Sequence, residues 1–405
     1  KIMAEIFFYS NNNRELISEH TTSKRQALES ELSKIEQWIT QVEKNVATLD
    51  TPASLTTTKE VTEALMAASV YQKQIVVQMV SSNPEDAIAL SLAASIEAYG
   101  EQLENINAWT QGGSAVINAC LDEMFENLIV RGGDGFSNCE LEDLFQLALI
   151  SMMCNPDEYP GMDELLEDPE FVMHMGRILE FTGSGSHKAA GIFEGVGPSI
   201  LKESYEYIYS SFEKKGIPAE GTFAYKCLSV IEKNGGLEEL KNGMTYNPYM
   251  TDGEGWATNT TLWGGVTAGA KYLSPANTLI VLGYAAGDGE ATAEQWDEIL
   301  SCNLETMDNI LDVEDKFDNI YEYLVDKDPE HWAIYPDGSF DFLNSVGISQ
   351  EYLNEVFGDF PPRELTEEEI EEVNRIGDQV KMLQQTLLYW LKICRDEQMA
   401  MAQNI

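Results

Sequence analysis

The stretch TEEEIEEVNRIGDQVKMLQQTLLYWLKICRDEQMAMAQNI, residues 366–405, decides the reading of this chain. No proline interrupts it. Ile370, Val373, Val380, Leu387, Leu391, Cys394, Met401 and Ile405 recur on steps built from threes and fours, and Gly377, Gln384 and Gln398 fill the gaps in the same stripe. One seam therefore runs along one helix. Thr366 and Glu369 have the spacing of a capping box, acids crowd the first turns, and Lys381, Lys392 and Arg395 follow, the order a helix dipole favours. At about 1.5 Å per residue this rod is roughly 58 Å long, far beyond the usual globular helix of ~12 residues.

The other end of the chain has the same pattern. Leu32, Ile35, Ile39, Val42, Val46 and Leu49 repeat the three-four spacing, preceded by Leu28 and, further back, by the apolar run Ile2, Ile6, Phe7, Phe8 and Tyr9. The fold class expected is mainly α, with long N- and C-terminal helices pairing as an antiparallel coiled coil. Three segments follow: an N-terminal coiled-coil helix at 1–50, an acidic central domain at 51–365, and a C-terminal coiled-coil helix at 366–405. Charge follows the same division. Residues 1–50 hold six basic and eight acidic side chains and residues 366–405 hold four and eight, so the ends carry −2 and −4 of a total of −44, and the middle carries −38. Ends packed against copies of themselves, with a middle facing water, would show that distribution. A single intramolecular coiled coil would show it too.

With 405 residues, 43% of them hydrophobic, the chain is long enough to bury a sizeable core. The excess of 69 acids over 25 bases argues against nucleic-acid binding and against docking on anionic lipid. No apolar run reaches the ~18 residues of a membrane span, so no integral membrane segment is expected. The first residue is Lys, and no cleavable signal is visible. Cys120, Cys139, Cys154, Cys227, Cys302 and Cys394 are scattered, without a CxxC pair, which points to buried thiols.

Between the ends, Asn83-Pro84-Glu85-Asp86 has the form of a helix start, leading to a helix that reaches about Trp109. A helical region is also expected from about Lys59 through Met79. Further helices are expected at 114–130, 139–153, 162–181, 198–213, 222–234, 294–325 and 349–357. Residues 242–293 turn to Gly, Thr, Asn and aromatics, as at Trp256 to Gly265, and predict an irregular or short-strand segment with Thr278–Leu282 as its best strand.

No catalytic constellation, cofactor site or metal site emerges from the residues. His20, His174, His187 and His331 stand at no metal-ligand spacing from another His or a Cys. Gly183-Ser184-Gly185-Ser186-His187-Lys188 lacks the order of a phosphate loop and follows a predicted helix, so it reads as an ordinary loop. Asp134-Gly135, Asp288-Gly289 and Asp337-Gly338 invite an EF-hand test, but the twelfth-position glutamate would fall on Leu141, Gln295 and Asn344. Helix-bounding turns explain them better, with Asp288 the one place where a divergent cation site is considered. Asp252-Gly253-Glu254-Gly255-Trp256 has the acids and aromatic of a sugar cleft, in a chain where acids are abundant everywhere. Asn259-Thr260-Thr261 has the form of a glycosylation sequon.

The N-terminal run Ile2-Met3-Ala4-Glu5-Ile6-Phe7-Phe8-Tyr9-Ser10, together with Gln385 to Leu391 and Arg395 to Met399, resembles the first and last helices of the EspA-like filament subunits of bacterial type III secretion systems. The likeness covers about 75 of the 405 residues and departs from that family in the large centre and the six cysteines. Flagellin-like proteins share the plan of paired terminal helices. The resemblance implies a secreted, cell-surface homopolymer, with the chain itself and a secretion chaperone as partners. Assembly would then rest on Leu32, Ile35, Ile39, Val42, Val46, Val373, Val380, Leu387, Leu391, Met401 and Ile405. The competing expectation is a soluble helical ligand-binding protein or enzyme, with an internal coiled coil and a cleft near 252–296.

Overall fold

The computed structural model describes residues 30, 32–40, 43, 86–187, 196–244, 270–335, 340–343 and 347–403. Over these residues the chain is mainly α. In chain order the helices are α1 (32–40), α2 (Asp86–Gln111), α3 (Ile117–Arg131), α4 (Asn138–Cys154), α5 (Met162–Leu166), α6 (Pro169–Phe181), α7 (Pro198–Lys215) and α8 (Phe223–Lys233). There follow α9 (Gly236–Gly243), α10 (Pro275–Gly287), α11 (Ala293–Leu300), α12 (Leu304–Leu311), α13 (Val313–Lys316) and α14 (Ile320–Lys327). Strands β1 (Trp332–Ile334) and β2 (Phe340–Phe342) form an antiparallel pair with Trp332 opposite Phe342, and α15 (Gln350–Val356) and α16 (Glu367–Gln403) complete the order.

Local chemistry sets the boundaries. Ser137 and Glu140 form a capping box that starts α4, Thr292 and Gln295 form one at α11, and Thr366 and Glu369 exchange backbone-to-side-chain bonds of 2.8 and 3.2 Å at the start of α16. Each satisfies backbone donors that a helix leaves orphaned at its start. Two expected helices are broken by the same chemistry. The one expected over 162–181 splits because Asp168 accepts from Glu170 N–H and Pro169 opens a new helix, α6. The one expected over 294–325 becomes four, since Asn303 and Asn319 cap α12 and α14 and Asp312 adopts φ 53°, the left-handed region.

The strand expected at Thr278–Leu282 is instead the middle of α10. Residues 275–283 are buried there, so a helix covered on all sides reads as a continuous apolar run, which periodicity cannot tell from a buried strand. The irregular segment expected over 242–293 is therefore helical from Pro275 to Gly287, while 245–269, with Trp256, Trp263, the sequon and the sugar-cleft acids, lies outside the described residues. The helix start at Asn83, the helical region from Lys59 to Met79 and the Asp337-Gly338 turn lie outside them too.

The chain divides into two compact units, one of residues 1–107 with 365–405 and the other of residues 108–364. The first takes in residues 51–107, which the sequence reading placed in the central domain. Its described core joins Leu103 of α2 to Val373, Ile376 and Val380 of α16, with Tyr99, Ile106 and Leu365 packed against them.

In the second unit α4 is the central helix, packed against α3, α8, α9 and α10. Cys139 and every residue from Leu141 to Met153 are buried. At the margin of this unit the incoming and outgoing chain are stitched together. Arg363 N–H donates to Trp109 O at 2.8 Å, Gly113 N–H to Phe360 O at 2.9 Å, and the Arg363 guanidinium lies 4.5 Å from the centre of the Trp109 ring. Trp296 packs against both Trp109 and Phe360. Gly112 is required at this seam, because its φ is 68° and a Cβ would stand 2.6 Å from Phe360 O.

Candidate functional site

The residues expected to drive assembly fall on two elements of the first unit. On α16, Val373, Val380, Leu387 and Leu391 are buried, and Ile376 and Gln384 are buried with them. On α1, Ile35 and Ile39 are buried and Leu32 is half-buried. Val42, Val46 and Ile405 lie outside the described residues, as does the side chain of Met401. Over Val373 to Val380 the seam is covered by α2, and Tyr99 of that helix donates to Gln379 Oε1 at 2.9 Å. Gln384 is fully buried, and neither its Nε2 nor its Oε1 has a partner among the described residues.

The other side of α16 carries a second stripe that sequence reasoning passed over. Nine residues, two and a half turns, separate Met382 from Leu391, and the same spacing puts Tyr389 and Ile393 opposite Val380 and Gln384. Met382 is 57% exposed, Tyr389 67% and Ile393 39%. Three of the eight exposed large apolar side chains among the described residues form this one stripe, more than any other described element contributes.

The second unit contains a buried polar centre. On the apolar helix α4, Cys139, Glu142, Asp143 and Gln146 fall at steps of three and four, so they share one face. The loop Thr182-Gly183-Ser184-Gly185-Ser186-His187, which follows α6, lies over that face. Gly183 N–H donates to Glu142 Oε2 at 2.7 Å, Ser184 N–H to Asp143 Oδ1 at 2.8 Å, and Ser184 Oγ to Asp143 Oδ2 at 2.6 Å. Gln146 Nε2 donates to the carbonyls of Ile178, Leu179 and Thr182, while its Oε1 accepts from Ala276 N–H. The loop passes this close because residues 183 and 185 are glycines. Both have left-handed φ, and a Cβ on Gly183 would lie 2.7 Å from Asp143 Oδ1.

Arg131 offsets part of the negative charge in this centre, reaching Glu140 at 2.9 Å and Asp143 at 3.0 Å with its guanidinium over the Tyr272 ring. Burial nevertheless raises the Asp143 carboxyl to about 6, with Arg131 and Ser184 opposing the shift. His187 Nε2 lies 2.5 Å from Glu142 Oε2, both side chains being inaccessible to solvent. Ser186 turns elsewhere, to Tyr321 and Asn277 at 3.3 and 3.1 Å. Ser186 and His187 are thus engaged with different partners, and the segment is a loop, as its sequence suggests.

The remaining candidates resolve simply. Lys327 places its ammonium 2.6 Å from Asp288 and 2.7 Å from Glu290, so a side-chain cation fills the spot where a metal was considered. Asp134-Gly135 and Asp288-Gly289 are turns after helical segments. His174 bonds Ser204 at 2.9 Å and stacks on Tyr207. His331 Nδ1 sits 3.0 Å from Asp328, which also accepts from Tyr284 and Tyr352 at 2.8 and 2.9 Å. Cys120, Cys227 and Cys302 are buried thiols in no disulfide, and burial pushes Cys302 up to about 12, which keeps it protonated and unreactive.

The polar face of α4 was readable as C139-x-x-E142-D143-x-x-Q146 within an apolar helix; its link to His187 was not, since 45 residues separate Glu142 from that histidine. No known protein family, no curated protein and no solved structure matches this chain. No described helix is long and apolar enough to cross a membrane.

Proposed function

We propose that this chain is a self-assembling structural subunit whose copies meet through the outer face of α16. The observation that carries the reading is the exposed stripe Met382, Tyr389 and Ile393 on the side of the helix opposite its buried seam. A helix with one face buried inside its own unit and an apolar stripe on the other has a surface left for a partner. A second copy fits it best, because residues 366–405 carry only −4 of the total −44, so like-charge repulsion between copies is far weaker there than over the middle of the chain, which carries −38.

Pairing of the terminal helices as an antiparallel coiled coil is part of this reading. Support for it comes from the buried Ile35 and Ile39 of α1, the buried Leu387 and Leu391 of α16, and the 3.0 Å ion pair of Glu43 with Lys392. In the secreted-filament form of the proposal, the resemblance of the terminal segments supplies the extracellular, cell-surface setting and the chaperone that would hold the subunit before export. The acidic second unit would be displayed to water.

Negative-stain electron microscopy and sedimentation of the purified chain across a salt series test it. Filaments or higher oligomers are expected, increasing as salt screens the acidic bodies over ~10 Å at 0.1 M. The double variant Met382→Glu with Tyr389→Glu should remain dispersed, with an unchanged circular dichroism spectrum. A monodisperse monomer at every salt concentration would sink the proposal.

A further inference from the structure

We infer that Cys139, Glu142 and His187 form a binding site for one divalent transition-metal ion of the zinc class. Three observations converge on it. First, a thiol, a carboxylate and an imidazole from α4 and the 182–187 loop each offer a ligand atom, and these atoms all lie within 4.8 Å of one another. In tetrahedral zinc sites with bonds of about 2.0–2.3 Å, the ligand atoms stand roughly 3.3–3.6 Å apart. His187 Nε2 and Glu142 Oε2, now 2.5 Å apart, would separate by about 1 Å on binding.

Second, the site holds an unmet polar demand. Glu142 is 0% exposed, and its Oε1 has no hydrogen-bond partner among the described residues. A buried carboxylate oxygen without a partner is costly, and an ion bound on this carboxylate would meet that cost. Beside that oxygen stands Gly243, where a Cβ would come within 2.6 Å of it.

Third, the charges close. A divalent ion held by one thiolate, one carboxylate and one neutral imidazole leaves the buried cluster without net charge. Binding requires Cys139 to lose its proton to solvent, and no redox change or further reactant is involved. The Gly183 N–H bond to Glu142 Oε2 supplies the kind of outer contact that orients a ligating carboxylate. Three protein ligands leave a fourth position for water. The ion would pin the 182–187 loop to the central helix.

The test uses the full chain, stripped with a chelator and titrated with Co²⁺ under reducing conditions. A thiolate-to-cobalt charge-transfer band, saturating at one ion per chain and reversed by Zn²⁺, is the expected result. In Cys139→Ser that band should vanish, and in His187→Gln the apparent affinity should fall roughly 10–100-fold. The wild-type titration decides the matter even if a variant fails to fold: absence of the charge-transfer band overturns the inference. So does a band of full intensity in a folded Cys139→Ser protein. Weak Co²⁺ uptake without the band means surface carboxylates alone and also overturns it.

Discussion

Gln384 is the residue whose replacement tests the core of the first unit most directly. It sits on the buried seam of α16 at 0% exposure, with both side-chain polar atoms unpartnered among the described residues. Leaving a buried amide unsatisfied costs about 1–3 kcal/mol. Replacement by leucine, of similar volume, removes that cost and adds roughly one methylene's worth of apolar burial, about 0.8 kcal/mol. Gln384→Leu should therefore stabilise the first unit by about 2–4 kcal/mol, or raise its midpoint by roughly 5–10 °C. Urea and thermal denaturation followed by circular dichroism measure this. Gln384→Ala serves as the control, because it removes the same polar atoms but leaves a cavity that offsets the gain. A polar residue at one seam position also fixes register in coiled coils, so sedimentation of the leucine variant should show a broadened distribution of assemblies. Were Gln384→Leu neutral or destabilising, the amide must have a partner, and the reasoning would fail.

Three other outcomes are expected. Leu387→Asp buries an unpaired charge and should cost about 4 kcal/mol, whereas Lys392→Glu, which breaks a pair 43% and 51% exposed, should cost under about 1 kcal/mol; equal effects in denaturation would refute the assignment of faces. Gly183→Ala must hold alanine at φ 85° and 2.7 Å from a carboxylate oxygen, so a loss of roughly 2–3 kcal/mol in the second unit is expected, and an unchanged denaturation curve would show that the loop stands elsewhere. Burial tends to raise the Asp328 carboxyl, but bonds from Tyr284, His331 and Tyr352 outweigh it and hold the group below its ordinary value. A depressed folded value means that its stabilising contribution is complete above about pH 4 and is lost as pH falls through the lower folded value. Urea titrations at several pH values should show the advantage of wild type over Asp328→Asn shrinking on acidification, and an advantage that grew would contradict the hydrogen-bond network.

How much of this was legible in the sequence depends on where each signal lives. The burial of Val373, Val380, Leu387 and Leu391 followed from spacing alone, because a helix half-covered by neighbours keeps a 3.6-residue period. The same logic failed at Leu279 to Leu282, where α10 is covered on every side and no period survives. Breaks at Asp168, Asn303 and Asn319 were open to reading as caps but fall inside long apolar patterns that mask them. The outer stripe of α16 was missed because the reading followed the apolar seam alone, and Met382, Tyr389 and Ile393 lie on the side opposite it. The buried polar face of α4 left a plain mark in sequence, four polar residues on one side of an apolar helix. Its partner His187 left none, since tertiary folding alone brings that loop to Glu142.

The stitching of Trp109 to Arg363 and of Gly113 to Phe360 makes the second unit a cassette. A body whose two chain ends are already tied edge to edge adds little loop-closure entropy to whatever host receives it, since that cost depends on the gap to be bridged and only weakly on the length inserted. Some 257 residues, from Ala108 to Glu364, are thus entered and left at one place. Exchanging this body for another of different size or surface, tied at the same two ends, leaves the rest of the chain the same small gap to close. The sequence of this body and the sequence of the rest of the chain can therefore change independently of each other.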